Sequence, residues 1–157
     1  MTVPPLAENK LSRDARVGAL AATLAKIQGP VILAAHSAGV LTVVHWARRH
    51  ARTIKAALLA TPADIETPLP AGYPTPEELT AGGWLPIPRV RLPFPSLVIA
   101  SDTDSLASAG RVAEMARDWG ASCENLGDIG HLNPATGYGP WPMARALLER
   151  LEGGPFA

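Results

Sequence analysis

The hydrophobic positions of this chain alternate between short continuous runs and longer amphipathic stretches. Residues 31–35 form an apolar run bounded by turn residues, which is typical of a strand buried on both faces of a parallel sheet. Residues 56–60 and 97–100 repeat the pattern, and residues 121–126 form a weaker version of it. The pattern therefore predicts four strands.

Amphipathic stretches separate these predicted strands. Apolar residues spaced three and four apart between Val17 and Ile27 predict a helix that Ser12 caps and that Gly29-Pro30 ends. Three more helices are predicted, over residues 39–50, 111–119 and 142–151. Because strands and helices alternate, we expect an α/β fold with a mainly parallel sheet flanked by helices.

Some segments interrupt this alternation. Residues 61–96 contain nine prolines, which excludes a long helix and predicts a mostly irregular excursion of the kind that forms lids or binding walls. Residues 127–141 are rich in glycine and proline. We expect residues 1–11 to be irregular and residues 152–157 to be a frayed tail of a single domain that spans residues 1–157.

Composition narrows the possible partners. Hydrophobic residues make up 47% of the 157 positions and charged residues 18%, which excludes an intrinsically disordered chain. Fourteen basic residues balance fourteen acidic ones, and neither sign forms a block. The electrostatic attraction that drives nucleic-acid binding is therefore absent, and we expect no nucleic-acid partner.

The chain is predicted to be cytoplasmic and not to bind membranes. Its apolar runs are far shorter than the roughly 20 residues that a membrane-spanning helix needs, and its N-terminus lacks the pattern of a secretory signal. The single cysteine, Cys123, cannot form an intramolecular disulfide, and we expect it to be buried and inert. The four histidines lack the spacing of zinc ligands, so no metal or other cofactor is predicted.

Ser37 lies in the segment Ala35-His36-Ser37-Ala38-Gly39, between a predicted buried strand and a predicted helix. A nucleophile elbow requires this context, because its serine occupies a sharp, strained turn that tolerates only small residues two positions away on either side. Ala35 and Gly39 meet that demand. The backbone N–H of Ala38, at the start of the helix, is the predicted oxyanion-hole donor. The alternative interpretation is an ordinary turn made of small residues.

A nucleophilic serine needs a base and an acid that orients the base, and in this fold class both follow the serine along the chain. Asp102 and Asp104 come directly after the strand at 97–100, and His131 comes after the next strand. Open α/β sheets build their sites at the carboxyl ends of their strands. The residues therefore predict a Ser-Asp-His triad with either aspartate as its acid. A capped turn and a surface histidine are the alternatives.

The chain resembles a known family over roughly residues 20–150, and the most specific motifs lie in its second half. Residues 92–96 read Leu-Pro-Phe-Pro-Ser, residues 130–133 read Gly-His-Leu-Asn, and residues 137–142 read Gly-Tyr-Gly-Pro-Trp-Pro. These segments resemble the YdeN-like small serine hydrolases, a family that includes the vertebrate retinoblastoma-binding serine hydrolase. The resemblance implies an α/β-hydrolase fold.

The same resemblance implies roles for particular residues. By motif match the nucleophile is Ser37, the acid is Asp104 and the base is His131, with Asp102 as the second choice for the acid. The usual elbow glycine is Ala35 in this chain, a change of one methyl group that the turn geometry can accept.

One departure from the family concerns the beginning of the chain. Family members begin with an apolar strand and a Pro-Gly-rich loop, and residues 1–11 contain no equivalent. The chain is therefore expected to be N-terminally incomplete. The missing strand would lie beside residues 31–35, and its loop would supply a second oxyanion donor, whose loss costs about 10²–10³ in kcat. We expect residues 31–35 to present an unpaired edge or to pair with another chain, which would allow self-association.

Other candidate residues carry weaker signals. Trp84 and Tyr138 are candidates for the wall of an acyl pocket, with packing in the core as the equal alternative. His36 should face away from the nucleophile and is interpreted as structural. His45 and His50 lie on a predicted helix with no acidic residue nearby in sequence.

Two functions from different classes fit these observations. The first is a serine hydrolase that cleaves a small ester or amide through an acyl-enzyme on Ser37, without a cofactor. The second is a catalytically impaired, truncated family member that acts as a binding or interaction module. A doubly wound nucleotide-binding protein is not supported, because the chain lacks a glycine-rich phosphate-binding motif after any strand.

Overall fold

A four-stranded parallel sheet forms the centre of the computed structural model, which describes residues 1–153. The strands follow one another across the sheet in chain order, and they are β1 (Ile32–His36), β2 (Ala56–Ala60), β3 (Ser96–Ala100) and β4 (Ser122–Asn125). Each one lies within two residues of a predicted strand. Since all four run in the same direction, their carboxyl ends lie along one edge of the sheet.

Five helices occur in the described residues, and all but the third match a predicted helix in position. They are α1 (Arg13–Ala25), α2 (Ala38–Ala47), α3 (Pro76–Ala81), α4 (Ala109–Trp119) and α5 (Met143–Glu152), with a 3₁₀ turn at Pro134–Thr136. The Ser12 hydroxyl caps α1 as predicted, accepting the N–H of Ala15. Within the described residues, no helix has the length and apolar character needed to cross a membrane.

Several predicted helix boundaries differ from the structure by one to three residues. Helix α2 ends at Ala47 and not at His50, and the chain beyond it tightens, since the N–H of Arg49 donates to the carbonyl of Trp46 only three residues earlier. Helix α5 continues to Glu152. The predicted frayed tail therefore begins too early, and its residues 154–157 lie outside the described part of the chain.

The proline-rich excursion is mostly irregular, as predicted, and contains one short helix. Thr75 and Glu78 form a capping box at the start of α3, with Pro76 at the first helical position. Parts of the excursion are buried, including Ile65 and Ile87. The segment therefore packs against the core over much of its length.

The core lies on both faces of the sheet, which explains why the central strands are continuously apolar. In β2, Ala57 and Leu59 face a large cluster formed with α1, α2 and α4, whereas Ala56 and Leu58 face a smaller cluster formed with α5. All five residues of β2 and of β3 are buried. The period of two in strand geometry thus sends alternate side chains of one apolar run into two different cores.

Strand β1 lies at the edge of the sheet in the part of the chain that the structure describes. Residues 1–11 form no strand beside it, so the predicted unpaired edge is confirmed for these residues. Residues 1–6, α1 and α2 line a groove of about 700 Å³ along this edge. Self-association through the edge stays a prediction.

The prediction for Cys123 is wrong, because this residue is exposed. Cys123 lies on β4, the other edge strand, whose four residues are exposed or half-buried. The apolar pattern predicted the strand correctly but could not indicate that no further element covers it.

Candidate active site

The turn between β1 and α2 has the backbone geometry of a nucleophile elbow. Ser37 has φ 54° and ψ −124°, a conformation that L-residues rarely adopt and that persists only where the surroundings hold it. Its N–H donates to the carbonyl of Ala60 at 3.0 Å. A Cβ atom at Gly39 would lie 3.8 Å from the Cβ of Ala35, which is ordinary van der Waals contact. The two small residues therefore face each other across the turn, and the extra methyl of Ala35 fits.

The structure brings the side chains of Ser37, His131 and Asp104 into one hydrogen-bonded row. Nε2 of His131 lies 2.8 Å from Oγ of Ser37, and Nδ1 of His131 lies 2.9 Å from each carboxylate oxygen of Asp104. A carboxylate can only accept, so Nδ1 carries the proton, and Nε2 is left to accept the hydroxyl proton of Ser37. This is the tautomer that a general base next to a serine requires.

Burial differs along this row. The side chains of Asp104 and His131 are 1% and 4% exposed, whereas Ser37 is only half-buried. Asp104 Oδ1 also accepts the N–H of Leu106 at 2.8 Å. The pair of base and acid is thus shielded from water, which strengthens their interaction, while the serine stays within reach of a substrate.

The loop that carries His131 is held by specific backbone requirements. Gly130 has φ +55°, and a Cβ atom there would lie 2.6 Å from the Cβ of Thr136, so only glycine fits without a shift. The carbonyl of His131 accepts a hydrogen bond from Nε2 of His36 at 2.7 Å and lies 3.5 Å from Oγ1 of Thr61. These contacts fix the backbone of the proposed base.

The orientation of His36 differs in part from the expectation. Its ring lies 4.9 Å from the ring of His131 and supports the backbone of that residue. Burial lowers the pKa of His36, which favours its neutral form. The structural interpretation of His36 is compatible with this contact, although the sequence did not predict which residue it supports.

Asp102 and Asp104, either of which could be the acid of the triad by sequence pattern, occupy different surroundings. Oδ1 of Asp102 accepts a hydrogen bond from Nδ2 of Asn125 at 2.6 Å, and Asp102 is exposed. Asp104 is the aspartate in contact with His131. The geometry thus favours the assignment that the family resemblance implies.

The structure places the two candidate pocket residues differently. Trp84 is 3% exposed, and its indole N–H donates to the carbonyl of Leu11 at 2.7 Å. It packs edge-on against His45 and belongs to the core, so the packing alternative describes it. Tyr138 is half-buried in the loop that follows His131, and its part in substrate binding stays a prediction.

The predicted oxyanion donor lies at the start of α2. Ala38 is exposed and is the first residue of that helix, so its N–H has no acceptor within the helix and carries the positive end of the helix dipole. No cluster of three or more metal-ligating side chains occurs among residues 1–153.

A cluster of ion pairs supports the loop that carries Asp104. Asp64 is 2% exposed, and its carboxylate accepts from Nε of Arg111 at 2.9 Å and from Nη2 at 3.3 Å. These contacts raise the pKa of the Arg111 guanidinium. The N–H of Asp64 donates to the carbonyl of Leu106, the residue whose N–H binds Asp104. The cluster therefore connects the excursion after β2 to the acid of the candidate site.

Replacing Arg111 with methionine is expected to lower the free energy of unfolding by about 3 kcal/mol, because the buried Asp64 carboxylate loses its charged partner. This loss is at the low end of the range for a broken buried ion pair, because Asp64 keeps its hydrogen bonds from the N–H of Glu66 and the hydroxyl of Thr67. Urea unfolding measures the change. Arg117 on the same helix is 74% exposed, and Arg117→Met serves as the control, with an expected change within about 0.5 kcal/mol. If Arg111→Met and Arg117→Met lowered the free energy of unfolding equally, the pair of Asp64 and Arg111 would have no specific stabilising effect.

Some residues of the site were missed by sequence reasoning. Thr61 is fully buried with φ 41°, an uncommon value for a β-branched residue, and it directly follows β2. Thr103 contacts the loop of His131 through its hydroxyl. Their position at strand ends was the only signal available, because nothing in the residue types themselves distinguishes them from ordinary turn threonines.

Known proteins share sequence and fold with this chain. A family model described as "Serine hydrolase" matches residues 6–150. A YdeN-like hydrolase from Pectobacterium atrosepticum is 29% identical and superposes with a TM-score of 0.73 over 90% of this chain and 70% of that one. A comparison with curated proteins by sequence gave no match.

Two more distant structures share the fold. The ydeN gene product of B. subtilis is 14% identical, with a TM-score of 0.68 over 88% of this chain and 74% of that one. A monoacylglycerol lipase from Paleococcus ferrophilus is 14% identical, with a TM-score of 0.62 over 89% of this chain and 75% of that one. The sheet and its helices are therefore those of an α/β-hydrolase fold.

Proposed function

The chain belongs to the serine hydrolase family, and from that membership and the geometry of the site we propose that it hydrolyses small esters or amides through an acyl-enzyme on Ser37. In this proposal His131 is the general base and Asp104 orients it. The backbone N–H of Ala38 stabilises the oxyanion.

The proposed reaction proceeds in two halves. Oγ of Ser37 attacks the carbonyl carbon while its proton passes to Nε2 of His131, and the resulting oxyanion accepts a hydrogen bond from Ala38. The intermediate collapses as His131 returns the proton to the leaving alcohol or amine. Water then loses a proton to His131, attacks the acyl-enzyme and releases the carboxylic acid and the free hydroxyl of Ser37.

One observation carries this proposal, namely the row of hydrogen bonds from Ser37 through His131 to Asp104 in which only the serine is open to solvent. If the contact of Asp104 with His131 served stability alone, the other ring nitrogen of His131 would not need to bind the hydroxyl of Ser37. The strained backbone of Ser37 supports the same conclusion, because backbone strain clusters at functional sites.

A small substrate is favoured over a polymer. The 14 basic residues balance the 14 acidic ones, so there is no overall charge to attract a polyanion or polycation. In the proline-rich excursion, Arg89 forms ion pairs with Glu66 and Asp118, so its charge is already balanced by carboxylates of this chain.

A binding module with little turnover is the second candidate function. One observation favours it: no strand pairs with the outer edge of β1 among residues 1–153, and this is where the resemblance places the loop with the second oxyanion donor. A hydrolase that stabilises the oxyanion with one donor has a kcat lower by about 10²–10³ than one with two donors. The hydrolase and the binding module would therefore differ in their rate of turnover, although both would bind a ligand at the same site.

Hydrolysis of a graded panel of short-chain aryl esters and anilides tests the proposal. We expect release of the alcohol or amine by the folded protein above the rate with the Ser37→Ala variant, and faster release from short acyl chains. A folded protein whose rate equals that of the variant on every compound, at concentrations that saturate binding, supports the binding module and contradicts the hydrolase.

A further inference from the structure

The loops that carry the acid and the base of the candidate site are joined to each other beside those two residues. The N–H of Asp102 donates to the carbonyl of Gly127 at 2.9 Å, and the hydroxyl of Ser101 donates to the same carbonyl at 3.2 Å. These contacts connect the residues after β3 with the residues after β4. In the sequence, the bonded residues come after the strands and before Asp104 and His131, respectively.

Thr103 links the residues that are next to the acid and the base in the sequence. Its hydroxyl donates to Oδ1 of Asp128 at 2.6 Å and accepts the N–H of Gly130 at 3.1 Å. Thr103 directly precedes Asp104, and Gly130 directly precedes His131. One hydroxyl therefore ties together the two residues that come just before the acid and the base.

We propose that Thr103 and Asp128 form a clasp that positions His131 against Asp104. Thr103 acts through its neighbours and does not touch the reacting atoms, so it is a positioning residue. This inference rests on the proposed function, because positioning matters only if His131 acts as a base. The clasp itself is a set of hydrogen bonds that can be measured without a substrate.

The chemistry of the clasp explains why a threonine hydroxyl is suited to it. A hydroxyl can donate one hydrogen bond and accept another at the same time, which a carboxylate or an ammonium group cannot do. The Asp128 carboxylate makes the donated bond charge-assisted and short. The left-handed backbone of Gly130, with φ +55°, orients its N–H toward the hydroxyl of Thr103, which accepts the hydrogen bond.

Loss of the clasp should affect geometry more than folding. Thr103 and Asp128 are both exposed, so the two bonds contribute little to the free energy of unfolding in water. The row of hydrogen bonds in the triad, however, depends on distances of 2.8–2.9 Å. A displacement of about 1 Å in such a constellation can cost about 100-fold in rate.

Thr103→Val is the variant that tests the clasp, since valine keeps the shape and removes the hydroxyl. We expect kcat for ester hydrolysis to fall by about 10- to 100-fold with KM changed little. Thr103→Ser restores the hydroxyl and should restore most of kcat. Thr53 is also exposed but lies before β2, at the opposite end of the sheet, and Thr53→Val is the matched control, with kcat expected to stay unchanged.

A spectroscopic readout separates positioning from a merely structural role. With ¹⁵N-labelled histidine, the low-field Nδ1 proton of His131 reports its bond to Asp104. We expect this resonance to be sharp and slowly exchanging in the parent protein. In Thr103→Val it should broaden or exchange at least about tenfold faster, with the unfolding midpoint preserved. Asp128→Ala should have the same effect on the Nδ1 resonance, and this variant replaces Thr103→Val in the test if the valine variant does not fold.

The outcomes separate this inference from the proposed function. An Nδ1 resonance in folded Thr103→Val that is identical to that of the parent overturns the clasp, whatever happens to kcat. A changed resonance together with no hydrolysis by the parent protein supports the clasp and contradicts the hydrolase. A loss of kcat that Thr103→Ser fails to restore also counts against the clasp.

Discussion

Replacement of Ser37 by alanine is expected to lower kcat for ester hydrolysis by about 10⁶-fold, the loss that follows when a triad nucleophile is removed. The variant lacks the hydroxyl that forms the proposed acyl-enzyme, so the remaining binding contacts and the Ala38 N–H act on a reaction with water alone. Steady-state hydrolysis of an aryl ester at high protein concentration measures the change.

The matched control for this variant is Ser105→Ala. Ser105 is an exposed serine next to Asp104, and it lies outside the hydrogen-bonded row. Its replacement should leave kcat within a small factor of the parent value and the unfolding midpoint unchanged. If Ser37→Ala folds normally and hydrolyses the ester at the parent rate, another group performs the reaction and the assignment of the nucleophile is wrong.

Asp104→Asn is expected to lower kcat by about 10⁴-fold while preserving the shape of the site. An asparagine side chain can present its NH₂ group to Nδ1 of His131, which then has to accept and places its proton on Nε2. In that tautomer Nε2 cannot take the hydroxyl proton of Ser37. The neutral amide also stabilises the imidazolium less than the carboxylate does. The same ester assay measures this change.

Asp102→Asn is the control that distinguishes the two aspartates. Its Oδ1 still accepts from Asn125 after the replacement, so kcat should change by less than about tenfold. A larger loss in Asp102→Asn than in Asp104→Asn would mean that the acid is the other aspartate and that the loop takes a different arrangement in solution.

The strands and the order of the candidate site residues could be predicted because both depend on local patterns. An apolar run with turn residues on both sides predicts a buried strand, and residues that follow parallel strands meet at one edge. The positions of Ser37 and His131, which lie in different parts of the chain, followed from this rule. This prediction did not require the distance between the two side chains.

The contacts that choose between alternatives could not be predicted, because they join distant parts of the chain. The residue pattern alone leaves Asp102 and Asp104 equivalent, and the preference for Asp104 came from the family resemblance. In the structure, the path of the following loop decides which of them meets His131. The pairing of Asp64 with Arg111, 47 residues away, has no local signal. The exposure of Cys123 likewise depends on which elements cover β4, and a strand pattern carries no information about its neighbours in the sheet.

A fluorophosphonate reaction followed by peptide mass analysis tests most directly whether the hydroxyl at position 37 is an activated nucleophile. Only a serine whose proton is drawn off by a neighbouring base reacts rapidly with such a reagent. The account predicts one phosphonyl group per chain, on the peptide that contains Ser37, and none on the Ser37→Ala variant. Folded protein that remains unmodified, or that is modified elsewhere to the same extent in both forms, contradicts it.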